Sequence, residues 1–249
     1  MTGDGPRYPP PGWDSSDLST FIDQSHENRW ATFVGFSKEC DELAELNAAL
    51  DEFWSGLRDP RSTVVAQLLA RASLLFKSAA ELALATQWYS AIVIARAAIE
   101  SSAYAGMISL KPELEPVWMK RNESAARKKE SIASFSMREI RFSLETYHPE
   151  LAISYTQLYE NFIDFGAHPN VAGISLGSSI RAHPEGSLIE QAGLTDDREL
   201  IGFGLKAAKE VGLFVGGVIT HVFHEQPAAQ KFAARILKTL SDEAGPPPD

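Results

Sequence analysis

Leu82-Ala-Leu-Ala-Thr-Gln-Trp-Tyr-Ser-Ala-Ile-Val-Ile-Ala-Arg96-Ala-Ala-Ile-Glu100-Ser-Ser-Ala-Tyr104-Ala-Gly-Met-Ile-Ser-Leu110 is the stretch on which the fold turns. Its 29 residues hold two charged side chains, Arg96 and Glu100, set four apart. On a helix that spacing puts both on one face, one turn apart. The same face carries Tyr89, Ile92, Val93, Ile99, Ala103 and Met107. A charge in a core costs several kcal/mol unless it is paired and hydrogen-bonded. The expectation is therefore a core helix with a buried ion pair, running from about Gln87 to Leu110. The stretch is long enough to span a bilayer, but the pair in its middle, with Thr86, Gln87 and several serines, reads as a buried helix instead. Val211 to Phe223 is apolar too, and its thirteen residues fall short of the roughly 20 that a span needs.

The same helical spacing recurs on either side. Leu43, Leu46, Leu50, Phe53 and Leu57 form one stripe of Cys40–Leu57, with Asp41, Glu42, Glu45, Asp51 and Glu52 off it. Asp59-Pro60 stops that helix and starts the next, because proline suits a first turn and not an interior. Ser62–Leu84 then sets Val65, Leu68, Leu69, Ala72, Leu75, Phe76 and Ala79 on one side. Lys111-Pro112 to Glu115-Pro116 ends the central helix. Glu123–Thr146 reads as one polar helix, Pro149–Ala167 as another, and Asp196–Glu225 as a long apolar one that Gln226-Pro227 separates from a last helix. Asp17–Phe36 is mixed and predicts helix in pieces. From His168 to Thr195 glycine and proline make the longest irregular stretch, with Val171–Leu176 as a short extended segment. Period-2 runs do not recur. The fold class is all-α, an antiparallel bundle of about seven or eight helices with one long irregular loop. The expected division is a flexible proline-rich end over 1–14, one domain over 15–244 and a flexible tail over 245–249. Gly212, Gly216 and Gly217 open a notch in the long helix that fits either core packing or a dimer seam.

Composition narrows the function. The net charge of −10 argues against a general duplex binder. Lys120–Arg141 departs from it, with seven basic against three acidic side chains, a local +4 that leaves −14 for the rest. That segment fits a solvated face, or an RNA-contacting one, though no aromatic platform is interleaved with its charges. Cys40 is the only cysteine, so an internal disulfide and any cysteine-built metal centre are excluded. The first residues, Met-Thr-Gly-Asp-Gly-Pro, have neither the basic start nor the apolar run of a signal peptide, and the expected setting is cytoplasmic, without membrane association.

Three constellations carry chemistry. Arg96, Glu100 and Tyr104 lie at i, i+4 and i+8; they read as a register-fixing ion pair completed by the tyrosine, or as an anion-binding group in an interhelical cleft. Glu160, Asp164 and His168 are again four apart and are followed by Pro169 and Asn170. They fit a polar face whose last histidine complements the helix dipole. As one metal site they fail, since i and i+8 are about 12 Å apart. Only Glu145-Thr-Tyr-His148 matches the Glu-x-x-His motif that a di-iron bundle needs twice. His221 and His224 would chelate a metal only with a third ligand that nothing in the sequence marks. Phosphate loops, nucleophile elbows and metalloprotease motifs are missing from the sequence, and no cofactor is expected.

Ala91-Ile-Val-Ile-Ala-Arg96-Ala-Ala-Ile-Glu100-Ser-Ser-Ala-Tyr104 and Tyr159-Glu-Asn-Phe-Ile-Asp164-Phe-Gly-Ala-His168-Pro169-Asn170 together resemble an uncharacterised group of bacterial helical proteins. That group carries an Arg-x-x-x-Glu helix and a later Tyr…His-Pro segment. It is in turn similar to the HEPN superfamily of helical bundles, many of them ribonucleases of defence or toxin–antitoxin systems. The resemblance spans roughly residues 60–225. It implies a bundle that dimerises, with an arginine on the scissile phosphate and a histidine in the chemistry. His168 matches the histidine. Phe162 to Ala167 contain no arginine, and Asp164 would repel a phosphate, so Arg96 is the remaining match.

The leading expectation is a non-catalytic protein that binds a protein partner or small ligand, as a homodimer in one version. Its polar network comprises Arg96, Glu100, Tyr104, Asp164, His168 and Asn170. The alternatives are a HEPN-like ribonuclease using His168 and Arg96, or a metal-dependent bundle enzyme drawing on Glu100, Asp164 and His168.

Overall fold

A computed structural model describes Pro9 and residues 12–167, 171–184, 186–191 and 193–244. Among these the chain forms eleven α-helices and one hairpin. In chain order they are α1 (Asp17–Gly35), α2 (Ser37–Gly56), α3 (Thr63–Leu84), α4 (Trp88–Leu110), α5 (Leu114–Met119), α6 (Ala125–Ser134), α7 (Met137–Tyr147), α8 (Pro149–Phe162), α9 (Val171–Gly177), β1 (Ser178–His183), β2 (Gly186–Gln191), α10 (Arg198–Val222) and α11 (Pro227–Ala244). This is an all-α bundle. The expected proline-rich ends fall largely outside the described residues, as do His168, Pro169 and Asn170.

Local chemistry sets the starts. The Ser62 hydroxyl accepts from the Val65 N–H at 3.1 Å and opens α3. Asp197 accepts from Glu199 and Leu200 and opens α10, capping donors that no helical carbonyl reaches. Pro227 begins α11, where a missing N–H costs nothing.

α4 packs along α3 and α10, which also pack on each other; α7 and α8 lie against another side of α4, while α2 and α11 pair and close over α10. The core gathers Leu50, Phe53, Leu69, Phe76, Ile92, Ile99, Met107, Val211 and Ile219, all fully buried. α4 is long and apolar enough to cross a membrane, yet most of that window is buried inside the bundle. The glycine notch of α10 belongs to this core. A Cβ at Gly212 would stand 2.4 Å from Leu46 and 2.7 Å from the Phe76 ring, and one at Gly216 would stand 2.5 Å from the Phe232 ring. Rings of α3 and α11 occupy the space those side chains would need.

Five local expectations need correction. α1 is one continuous helix. The segment 123–146 is two helices, because Phe135 turns inward against Tyr104 and Ser136 caps α7 through the Glu139 N–H. Residues 114–119 form α5 within what reads as a break. The helix from Pro149 ends at Phe162 and gives way to a π-turn, Ile163–Ala167, whose Gly166 is non-helical. Residues 171–177 are helical, resting on that π-turn, rather than extended. The hairpin β1–β2 follows, with Ile180 opposite Ile189.

Candidate functional site

Arg96 and Glu100 meet as their spacing predicts. Arg96 Nε donates to Glu100 Oε1 at 2.9 Å. The rest of the guanidinium belongs to α8: its Nη2 donates to the Tyr159 hydroxyl at 3.0 Å, and its carbon lies 4.9 Å from the Tyr159 ring centroid. Tyr159 thus holds the arginine by both a hydrogen bond and its π face. Tyr155, one turn earlier, stacks at 5.6 Å on Tyr159 and at 6.1 Å on Phe214 of α10. Tyr104, expected to complete the ion pair, instead packs on Phe135 at 4.6 Å.

The expected burial of the pair is corrected too. The Arg96 side chain is 17% exposed and that of Glu100 37%. Tyr89 and Val93, at 38% and 42%, lie open on the same line of α4. Two stripes run side by side here. Ile92, Ile99, Ala103 and Met107 face the core, whereas Tyr89, Val93, Arg96 and Glu100 form the uncovered edge of a central helix.

The surrounding phenols are poor acids. Burial pushes the Tyr104 hydroxyl above its ordinary value; Glu100 and Tyr159 push the same way against Arg121. Tyr155 is raised further, first by burial and then by Tyr159, Glu100 and Tyr104, with Arg96 opposing. Both stay neutral at physiological pH. Both serve as ring surfaces, Tyr104 against Phe135 and Tyr155 between Tyr159 and Phe214.

Two members of the second constellation, Glu160 and Asp164, lie among the described residues. Asp164 is exposed on the π-turn and Glu160 is exposed on α8. Glu160 lines a cleft of about 590 Å³ with Asn161, Gln157 and Glu210. His168 and Asn170 lie outside the described residues. His221, in the last turn of α10, gains a neighbour: the His148 ring meets it edge-on at 4.7 Å. His224 Nδ1–H donates to the His221 carbonyl at 3.0 Å. Burial, then His148 and His224, pull the His221 imidazole below its ordinary value. Among the described residues no group of three or more His, Cys, Asp or Glu is placed to hold a metal.

One site has no counterpart in the sequence reading. A cavity of about 700 Å³ lies between α1, the α3–α4 turn and the start of α10, lined by Asn28, Thr32, Phe36, Thr86, Thr195 and Arg198. Thr86 sits at φ +61°, a left-handed conformation that is strained for a β-branched residue. Asn28 Nδ2 donates to its hydroxyl at 2.9 Å and the Thr195 N–H donates to its carbonyl at 3.2 Å. Arg198 is committed to its own neighbours, lying 4.6 Å over the Phe36 ring and donating to the Gly35 carbonyl at 3.1 Å.

Comparison with protein-family models, with curated proteins and with solved structures returns no match.

Proposed function

We propose that the chain is a non-catalytic binding protein whose recognition surface is the open edge of α4, centred on Arg96, Glu100 and Tyr159. One observation carries this reading: a helix that forms the middle of the core leaves Tyr89, Val93 and Glu100 more than a third exposed along one line. Covering that line would bury apolar surface and take Glu100 further out of water beside an arginine already held in place, a combination suited to a specific partner. A second copy of the chain is the partner to test first, since symmetric dimers dominate among soluble assemblies.

Sedimentation velocity of the whole chain and of Val93→Asp tests it. The expected result is a dimer that the substitution dissolves while the melting temperature holds. A wild-type chain that stays monomeric up to about 100 μM, far above the concentrations at which specific complexes form, overturns the reading. A dimer indifferent to Val93→Asp overturns it as well.

The ribonuclease reading keeps one supporting observation. Arg96 is tied to Tyr159 of α8, nine positions before His168 in the chain. RNA cleavage abolished by His168→Ala and by Arg96→Ala would favour it, and cleavage that survives His168→Ala would sink it.

A further inference from the structure

The chain is strongly acidic, and its basic region, Lys120–Arg141, runs through α6 and the first half of α7. α6 buries only Ser131. Its ten residues are fewer than an isolated helix needs to persist in water, so its exposed side chains are displayed by a segment with little packing of its own. Arg127 pairs with Glu130 along the flank. Lys128, Lys129 and Ile132 are all exposed; Lys129 lies opposite Ser131, while Lys128 and Ile132, four apart, share a flank of the helix. α7 repeats the pattern. Ile140, Ser143 and Leu144 are buried, while Arg138, Arg141 and Phe142 face solvent.

Ile132 is 55% exposed and Phe142 63%. Each follows a cation by four residues, Lys128 and Arg138 respectively, so an apolar side chain and a positive charge share each outward face. Lys128, Lys129, Arg138 and Arg141 have no ion pair among the described residues.

We propose that α6 and α7 form a docking face for an anionic lipid bilayer, with Ile132 and Phe142 entering the headgroup boundary and the four cations meeting lipid phosphates. Charge complementarity selects this occupant. The +4 of Lys120–Arg141, which takes in Lys120 and Arg121 just before α6, is drawn to a negative surface, and the −14 of the remainder is repelled by it, so the chain approaches in one orientation. The interleaved aliphatic and aromatic side chains favour a bilayer over RNA, which would call for several stacking rings where Phe142 is the one outward ring among the described side chains of α6 and α7. The sequence expectation of no membrane association weighed only spanning segments. This face would lie on a membrane without crossing it.

Flotation of the full chain with phosphatidylcholine vesicles, with and without about 30% phosphatidylglycerol, tests the assignment. Binding is expected to the anionic vesicles alone and to be released by about 0.5 M salt, where screening lengths fall below headgroup spacing. Lys128→Glu with Lys129→Glu should weaken it about tenfold or more. Ile132→Ser with Phe142→Ser should weaken it severalfold at unchanged circular dichroism. Equal binding to both vesicle types overturns the proposal. So does binding to single-stranded RNA with no vesicle binding, which would make the face a nucleic-acid surface. Val93→Asp should leave flotation intact, so this outcome and that of the α4 surface are read separately.

Discussion

α10 and α1 solve the same packing problem in opposite ways. α10 turns Gly212 and Gly216 toward its neighbours, and buried rings of Phe76 and Phe232 fill the notches. α1 buries Ser19, Ser25 and Thr32 and leaves Leu18, Trp30, Phe33 and Val34 exposed. Its attachment is made of hydrogen bonds: Gln87 Nε2 donates to Ser25, Asn28 donates to Thr86, and Arg29 donates to Glu81. Shape-matched rings exclude water and give several kcal/mol per side chain. Part-exposed polar contacts compete with water and give about 1 kcal/mol each. What the inward face carries decides which helix is core: apolar side chains and glycines on α10, hydroxyls on α1. α1 is the low-stability edge of the bundle.

Substitutions at the two helices can break or sharpen that contrast. Phe76→Ala, which empties the Gly212 notch, should lose about 3–5 kcal/mol in urea unfolding; a loss under about 1 would show that the notch is not packed in solution. Gly212→Val forces Leu46 and Phe76 apart and should cost about 1–3 kcal/mol, read as an unfolding midpoint shifted at constant slope. Glu100→Ala sits between the regions, on a core helix but an open line. It should cost about 1 kcal/mol, whereas a loss of about 3–5 would mean that the pair is fully buried.

His221 tests the end of α10 by pH. Its folded-state value lies below the ordinary 6.5, so the unfolded chain takes up the proton first. Stability from this group is whole above that value and is lost as pH falls from there toward the folded value. His221→Gln should flatten the melting temperature across pH 7 to 5; an unchanged profile would assign the loss to other groups. Trp30→Ser on α1 should have the smallest effect, within about 0.5 kcal/mol. A larger loss would mean that something covers α1 in solution.

The sequence made the core helices legible wherever an apolar stripe had a charged face opposite. Leu43, Leu46, Leu50 and Phe53 are buried as their spacing requires. Arg96 and Glu100 pair for the same local reason. The arginine's other partner was not legible, because Tyr159 is 63 positions away and only packing brings α8 to α4. Nor was the open edge, since Val93 and Ile92 are adjacent in the chain and neighbouring helices decide which one is covered. α1 reads as mixed because its inward face is hydroxylic. The break at Phe135–Ser136 had a visible signal, Ser136-x-x-Glu139, outweighed by the continuous charge pattern around it. Thr86 carried none: left-handed turns are expected at glycine or asparagine.

Arg235 of α11 grips both oxygens of Glu45 at 2.6 and 2.8 Å and reaches Glu52 at 3.0 Å, while Lys231 also pairs with Glu52. These two helices meet across 190 residues of chain. At ribosomal speeds of about 5–20 residues per second, α2 waits about 10–40 s for that clasp. Throughout the interval Phe53 lacks the rings of Phe223 and Phe232, and Leu46 lacks the Gly212 notch it fills. A nascent chain with that exposed stripe is a natural client for chaperones that shield apolar segments during synthesis.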